Sequence, residues 1–261
     1  MINLIIWNEY YHEREDKHVG ELYPKGIHGC IKDFLEPDKN FSIQTATLDE
    51  PDHGLTEERL KNTDVLVWWG HKAHQKVEDS IVDRIQGRVL EGMGLLVLHS
   101  GHHSKIFKRM MGTTANIRWA ERGEKERVWV CNPGHPIAHG LGEYFEIDMT
   151  EMYCEPFQVP APDETVFVSW FEGGEVFRSG LCYKRGNGKI FYFRPGHESY
   201  PVYYNKDVQT VIRNSVYWVC PEKTAGVWQD RIALGIDNMM RSETIEPIKI
   251  KGHQVDHNYK K

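Results

Sequence analysis

The sequence predicts an α/β protein with a mostly parallel sheet, helices on both faces and added antiparallel hairpins. Three observations lead there. In the first half, short continuous apolar runs alternate with amphipathic helical patterns, as strands buried on both faces require. In the second half, two turn signals separate strand-like segments. A chain of 261 residues, 40% apolar and 27% charged, is long enough to bury one sizeable core.

The elements follow in chain order. Residues 3–7, Asn-Leu-Ile-Ile-Trp, form a short apolar strand. The spacing of Ile27, Ile31, Phe34 and Leu35 predicts a helix over 26–36, stopped by Pro37. Residues 41–47 alternate as a strand through Phe41, Ile43, Thr45 and Thr47. A one- to two-turn helix at 56–60 is capped by Thr56. A second apolar strand, 64–69, ends at Gly70-His71, and 76–91 carries Val77, Ile81, Ile85 and Val89 at helical spacing. Residues 94–98 are a third apolar strand, and 102–111 read as helical. Beyond these, 127–131 is a short strand before the turn Asn132-Pro-Gly. Strands 165–171 and 175–183 flank the hairpin signal Glu172-Gly-Gly-Glu175, and Arg185-Gly-Asn-Gly188 leads into 189–194. Residues 207–219 are an amphipathic helix closed by Pro221.

This divides the chain into one domain, 1–221, and a C-terminal extension, 222–261. The extension holds a helix near 229–240 and the apolar residues Trp228, Ile232, Leu234, Ile236, Met239 and Met240. It packs either on its own domain or on a second subunit of a homo-oligomer.

Charge and cysteine use narrow the function. A net charge of −6 and a pI of 6.2 argue against nucleic-acid binding, which calls for a basic patch. No apolar run approaches the ~18–20 residues that span a bilayer, and no basic leader precedes residues 2–7. The expected compartment is the cytoplasm. Five scattered cysteines without a C-x-x-C form neither a disulfide framework nor a cysteine-based zinc module. Any metal is therefore held by histidine and carboxylate, and histidine is abundant: 14, against 12 prolines.

The most informative segment is Gly94-Leu-Leu-Val-Leu-His99-Ser-Gly-His102-His103, a buried strand, a tight turn and a helix start. Such elbows expose their apex residue at the top of an α/β sheet. The segment resembles the elbow of class I glutamine amidotransferases, Gly-x-Cys-x-Gly-His, with His99 at the cysteine position and Val97 at the first glycine. By that resemblance, acyl transfer through a thiolate is absent. Ser100 is either a substitute nucleophile or a turn-forming hydroxyl. Ile190-Phe-Tyr-Phe-Arg-Pro-Gly-His197-Glu198 ends in a strand, a turn and His-Glu, similar to the late His-x-Glu of those enzymes.

Four motifs together resemble the ThuA-like trehalose-utilisation family. They are Tyr23-Pro-Lys-Gly-Ile-His28-Gly, Val67-Trp-Trp-Gly-His71, Leu98-His99-Ser-Gly-His102, and Glu151-Met-Tyr153 with Gly196-His197. Their order spans roughly 1–220. The resemblance implies a flavodoxin-like, amidotransferase-like sandwich without the cysteine, and a role near sugar catabolism.

The residues support a chemical reading of their own. His28, His71, His99 and His197 each follow a strand or open a helix on the edge where open α/β sheets bind ligands. Neutral imidazole is the commonest metal ligand, so these four are the candidate ligands of a divalent metal, zinc first. Glu151 either completes the shell or acts as general acid/base, and Glu198 orients His197. Tyr153 joins the catalytic set. Trp69 is a candidate sugar platform, and His102 either contacts substrate or supports the turn. The implied substrate is a small sugar or keto-sugar, undergoing hydrolysis, elimination or isomerisation. The rival is a non-catalytic sugar-binding or regulatory protein, and a third class is a thiol enzyme using Cys154. His74, His103, His253 and His257 read as surface residues. His135 and His139 read as a loop pair, despite their ligand-like spacing.

Overall fold

The computed structural model describes residues 1–222. Nine strands form one sheet: β1 (Ile2–Asn8), β2 (Phe41–Thr47), β3 (Val65–Trp69), β4 (Gly94–Leu98), β5 (Arg118–Val130), β6 (Tyr144–Cys154), β7 (Glu164–Phe171), β8 (Val176–Arg185) and β9 (Gly188–Phe193). Their order is β2-β1-β3-β4-β9-β8-β7-β5-β6. The helices are α1 (His12–Glu15), α2 (Lys17–Leu22), α3 (Gly26–Leu35), α4 (Glu57–Lys61), α5 (Asp79–Glu91), α6 (Lys105–Met111) and α7 (Lys206–Val219).

β2, β1, β3, β4 and β9 run parallel. Period-2 alternation sorts their side chains onto two cores. Leu4, Ile6, Val65, Val67, Leu96 and Leu98 meet α3 and α7 on one face. Ile5, Trp7, Leu66, Trp68, Leu95 and Val97 meet α4, α5 and α6 on the other. The central strands β3 and β4 are apolar throughout because both of their faces are covered, whereas the edge strand β2 alternates. The predicted strands over 1–110 and both hairpins are present.

The antiparallel part is larger than the two expected hairpins. Pairings β9-β8, β8-β7, β7-β5 and β5-β6 are antiparallel, as many as the parallel ones among the described residues. β6 is not among the expected strands, although Phe145, Ile147 and Met149 alternate with Glu146 and Asp148; the first two thirds of β5 carry no such alternation. In β5 the inward positions of the charged stretch are Glu124 and Glu126, not aliphatics. The helix expected at 102–111 starts later, at Lys105, where the Ser104 hydroxyl accepts the Phe107 N–H. Residues 99–103 form a tighter 3₁₀ turn before it. The expected extension, 222–261, lies outside the described residues apart from Glu222. No helix of the described residues is long and apolar enough to cross a membrane.

Candidate functional site

Four parallel strands deliver the site. His12 opens the helix after β1, His71 follows β3 by two residues, His99 directly follows β4, and His197-Glu198 come just after β9. All lie beyond the carboxyl ends of their strands, the edge where such sheets bind ligands. The antiparallel half adds Glu151 and Tyr153 from β6 and Glu121 from β5.

His99 is the buried apex. Its φ of 48° is in the left-handed region, unusual for a residue with a Cβ and akin to the strained position of an elbow nucleophile. Its Nδ1 donates to the Arg194 carbonyl oxygen at 2.9 Å, so Nε2 is the acceptor nitrogen and accepts the Tyr153 O–H. Nε2 lies 3.2 Å from Glu151 Oε2 and 3.3 Å from the Tyr153 hydroxyl, whose ring stacks on the imidazole at 5.0 Å. Burial, with the Arg194 charge nearby, holds the His99 pKa well below that of a free imidazole.

His197 Nε2 is 3.8 Å from Glu151 Oε2 and 3.8 Å from Glu121 Oε1. Its Nδ1 accepts the Ser199 N–H at 3.1 Å, and burial lowers its pKa to about 3. Glu151 is buried, which raises its carboxyl pKa. Its Oε2 has no hydrogen-bond partner although it faces two imidazole nitrogens.

His71 belongs to an adjoining set. Its Nδ1 lies 2.8 Å from Glu198 Oε1, and His12 Nε2 lies 3.4 Å from the same oxygen. Burial opposes charge on His71, but the hydrogen bond and charge of Glu198 win and raise its pKa. The same bond holds the Glu198 carboxyl far below the usual range, although burial pushes the other way. The two sets touch: the His71 and His197 rings are 5.5 Å apart, and the His71 and His99 rings 6.1 Å.

A buried clamp fixes the arrangement. The Arg194 guanidinium is fully buried and donates to Glu126, to the Thr150 hydroxyl at 3.0 Å and to the Glu151 carbonyl. It also lies over the Tyr153 ring at 5.1 Å. Arg194 thus ties β9 to the stretch of β6 that carries Glu151. Glu9, at the end of β1, accepts the Lys72 and Ala73 N–H groups and so fixes the loop of His71.

The expected ligand set is therefore regrouped. The structure brings His99, His197 and Glu151 together, each offering a donor atom within 4.8 Å of the others. His71 instead joins His12 and Glu198. His28 joins neither, because its Nδ1 is 3.0 Å from the Asn8 amide, which also donates to Glu13. Trp69 is no platform: it is fully buried and donates to the Gly196 carbonyl. His102 is buried and supports the turn through the Ala115 carbonyl. Ser100 donates to the Gly70 carbonyl as a turn-forming hydroxyl. His74, expected at the surface, is buried, and burial lowers its pKa to about 3. His135 is buried and His139 exposed, so they form no pair. Cys154 is partly exposed, 3.5 Å from the Arg118 guanidinium.

Sequence reasoning missed His12, Glu9, Glu121 and Arg194. His12 and Glu9 sit in a polar stretch without periodicity. A charged residue directly ending the apolar run Ile190–Phe193 was the available signal for Arg194.

The donor set fits a metal. Tetrahedral zinc with ligands at ~2.0–2.1 Å has ligand atoms roughly 3.3 Å apart, near the 3.2 and 3.8 Å found here. Glu151 Oε2 has no partner, and the acceptor nitrogen His99 Nε2 is engaged only by the long Tyr153 hydroxyl contact at 3.3 Å. His197 would join through Nε2 in the Nδ1-protonated tautomer, which exchanges the Ser199 N–H bond for the unpartnered Glu198 Oε2 at 3.8 Å.

The family described as ThuA, trehalose utilisation, matches residues 3–219. Similar solved structures include a ThuA-like protein from Parabacteroides merdae, with TM-score 0.64, 14% identity, and 85% of this chain and 92% of that chain covered. A ThuA-like protein from Bacteroides uniformis has TM-score 0.60 and 16% identity, covering 84% and 91%. A cytoplasmic protein from Salmonella typhimurium has TM-score 0.56 and 11% identity, covering 84% and 100%. At these identities the likeness establishes the fold: flavodoxin-like, of the amidotransferase type. Among curated proteins there is no match.

Proposed function

The chain belongs to the ThuA trehalose-utilisation family, and on that premise we propose that it is a metal-assisted, cytoplasmic enzyme acting on a sugar or keto-sugar. The observation that carries this reading is the Glu151 carboxylate. Its buried Oε2 has no hydrogen-bond partner, yet lies 3.2 Å from His99 Nε2 and 3.8 Å from His197 Nε2. An unpaired buried carboxylate oxygen is costly, and a cation shared with two imidazoles removes that cost.

In this reading His99, Glu151 and His197 hold a divalent ion, zinc by the chemistry of the donors. Such an ion polarises a carbonyl or activates a bound water, and polarising a sugar carbonyl serves hydrolysis, elimination and isomerisation of a keto-sugar alike. The chain's own residues do the rest. Arg194 holds the His99 tautomer and the Glu151 backbone in place. Tyr153 packs on His99 and excludes water from its inner side. His71 and Glu121, with side chains 29% and 48% exposed, are where substrate reaches the buried set. Tyr200, partly exposed with its ring 5.2 Å from that of His197, replaces Trp69 as the aromatic surface for a sugar ring.

Metal analysis of protein purified without chelator, with turnover assays on a panel of keto-sugars, tests this. We expect at least one equivalent of metal, with one equivalent and turnover lost together in Glu151→Gln. Less than a tenth of an equivalent removes the metal from the account. Ligand binding without turnover in any keto-sugar assay would make the protein a sugar binder.

A further inference from the structure

We propose that a second divalent cation binds beside the first, held by His12, His71 and Glu198. What the two ions would do together rests on the reading above; the second site itself stands on separate residues.

The three side chains come from separate segments after β1, β3 and β9, and offer one donor atom each within 4.8 Å of the others. Glu198 Oε1 is 2.8 Å from His71 Nδ1 and 3.4 Å from His12 Nε2. These spacings bracket the roughly 3.3 Å between ligand atoms of tetrahedral zinc. The two imidazoles stack at 5.0 Å with 26° between their planes, so both rings border the same carboxylate.

An ion pair alone leaves this cluster unsatisfied. One carboxylate oxygen serves His71, while His12 Nε2 is buried without a hydrogen-bond partner. Glu198 is 3% exposed, and its Oε2 is also without a partner. Charging His12 as well would stack two imidazolium rings. A single cation instead takes a lone pair from each neutral ring and one from the carboxylate, and gives the buried His12 Nε2 a partner.

The frame around the cluster is built for fixed ligands. Glu9 pins the His71 loop through two backbone N–H groups. The Asp16 carboxylate caps α2, directly after the short helix of His12. His18 Nε2 is 3.0 Å from the Ser199 carbonyl and ties α2 to the loop of Glu198. Ligands held this way lose little freedom when an ion arrives.

The second site adjoins the first through Glu198 Oε2, 3.8 Å from His197 Nδ1. Paired ions can clamp both the attacking and the leaving oxygen of a substrate, which suits a polyhydroxylated ligand with neighbouring oxygens.

Zinc titration of metal-stripped full-length protein by calorimetry, with metal analysis after dialysis, tests the proposal. Two equivalents are expected for the parent chain. His12→Gln should bind one, Glu151→Gln one, and the double variant none, with circular dichroism confirming each fold. His12→Asn serves if His12→Gln does not fold. One equivalent in the parent that survives His12→Gln and His12→Asn but not Glu151→Gln overturns the second site and leaves the first. One equivalent lost in His12→Gln but kept in Glu151→Gln upholds the second site and overturns the first. No binding by the folded parent chain overturns both.

Discussion

The Nδ1 of His99 donates to the carbonyl oxygen of Arg194, 2.9 Å away. One bond thus decides which nitrogen of the buried imidazole faces Glu151. The same Arg194 reaches through its guanidinium to Glu126, Thr150 and the Glu151 carbonyl. A single residue therefore sets the tautomer of one candidate ligand and the position of another.

The Arg194–Glu126 pair is fully buried on both sides. Removing one partner strands the other as an uncompensated charge. Arg194→Met should cost about 3–5 kcal/mol in urea unfolding. Adding Glu126→Leu should recover most of that loss, because the buried pair is then replaced by apolar groups. A loss under about 1 kcal/mol in the single variant would contradict the clamp.

The buried histidines predict acid sensitivity. His28, His74, His99, His102, His103, His135 and His197 all have lowered pKa values, with burial the leading cause. As the pH falls below about 6.5, the unfolded chain takes up protons that these folded imidazoles refuse, so stability falls. Each contributes a slope of about 1.4 kcal/mol per pH unit until it titrates in the fold. His71 has the opposite sign: its folded pKa is raised by Glu198, so its contribution is present below about 6.5 and lost as the pH rises through the folded value. Urea midpoints should drop markedly from pH 7 to pH 5, and more steeply in His71→Gln. Equal midpoints at both pH values would contradict the assignment of neutral buried rings.

Ser100 occupies the elbow next to His99, but its hydroxyl is committed to the Gly70 carbonyl at 2.9 Å. Ser100→Ala should lose about 1 kcal/mol of stability and keep turnover within about threefold. Abolished turnover with an intact fold would restore Ser100 as a nucleophile.

Much of this site was legible because apolar strands mark their own ends. His71, His99 and His197 were found that way. The grouping was not legible, since it depends on loop paths and long-range pairing: His71 turns towards His12 and Glu198, while Glu151 arrives from β6, past the end of the Phe145–Met149 alternation. Trp69 misled for a related reason. Period-2 alternation turns Trp68 and Trp69 to opposite faces, and a central parallel strand is covered on both, so neither ring is left for a ligand. Arg194 and Glu126 hold charge inside a core, which composition alone never reveals.

The central claim is a cation on His99, Glu151 and His197. Anomalous X-ray scattering above the zinc edge, from crystals grown with zinc and no chelator, tests it most directly. The account predicts a strong peak about 2.0–2.2 Å from His99 Nε2, Glu151 Oε2 and His197 Nε2. Ordered water without anomalous signal between those three atoms would contradict it.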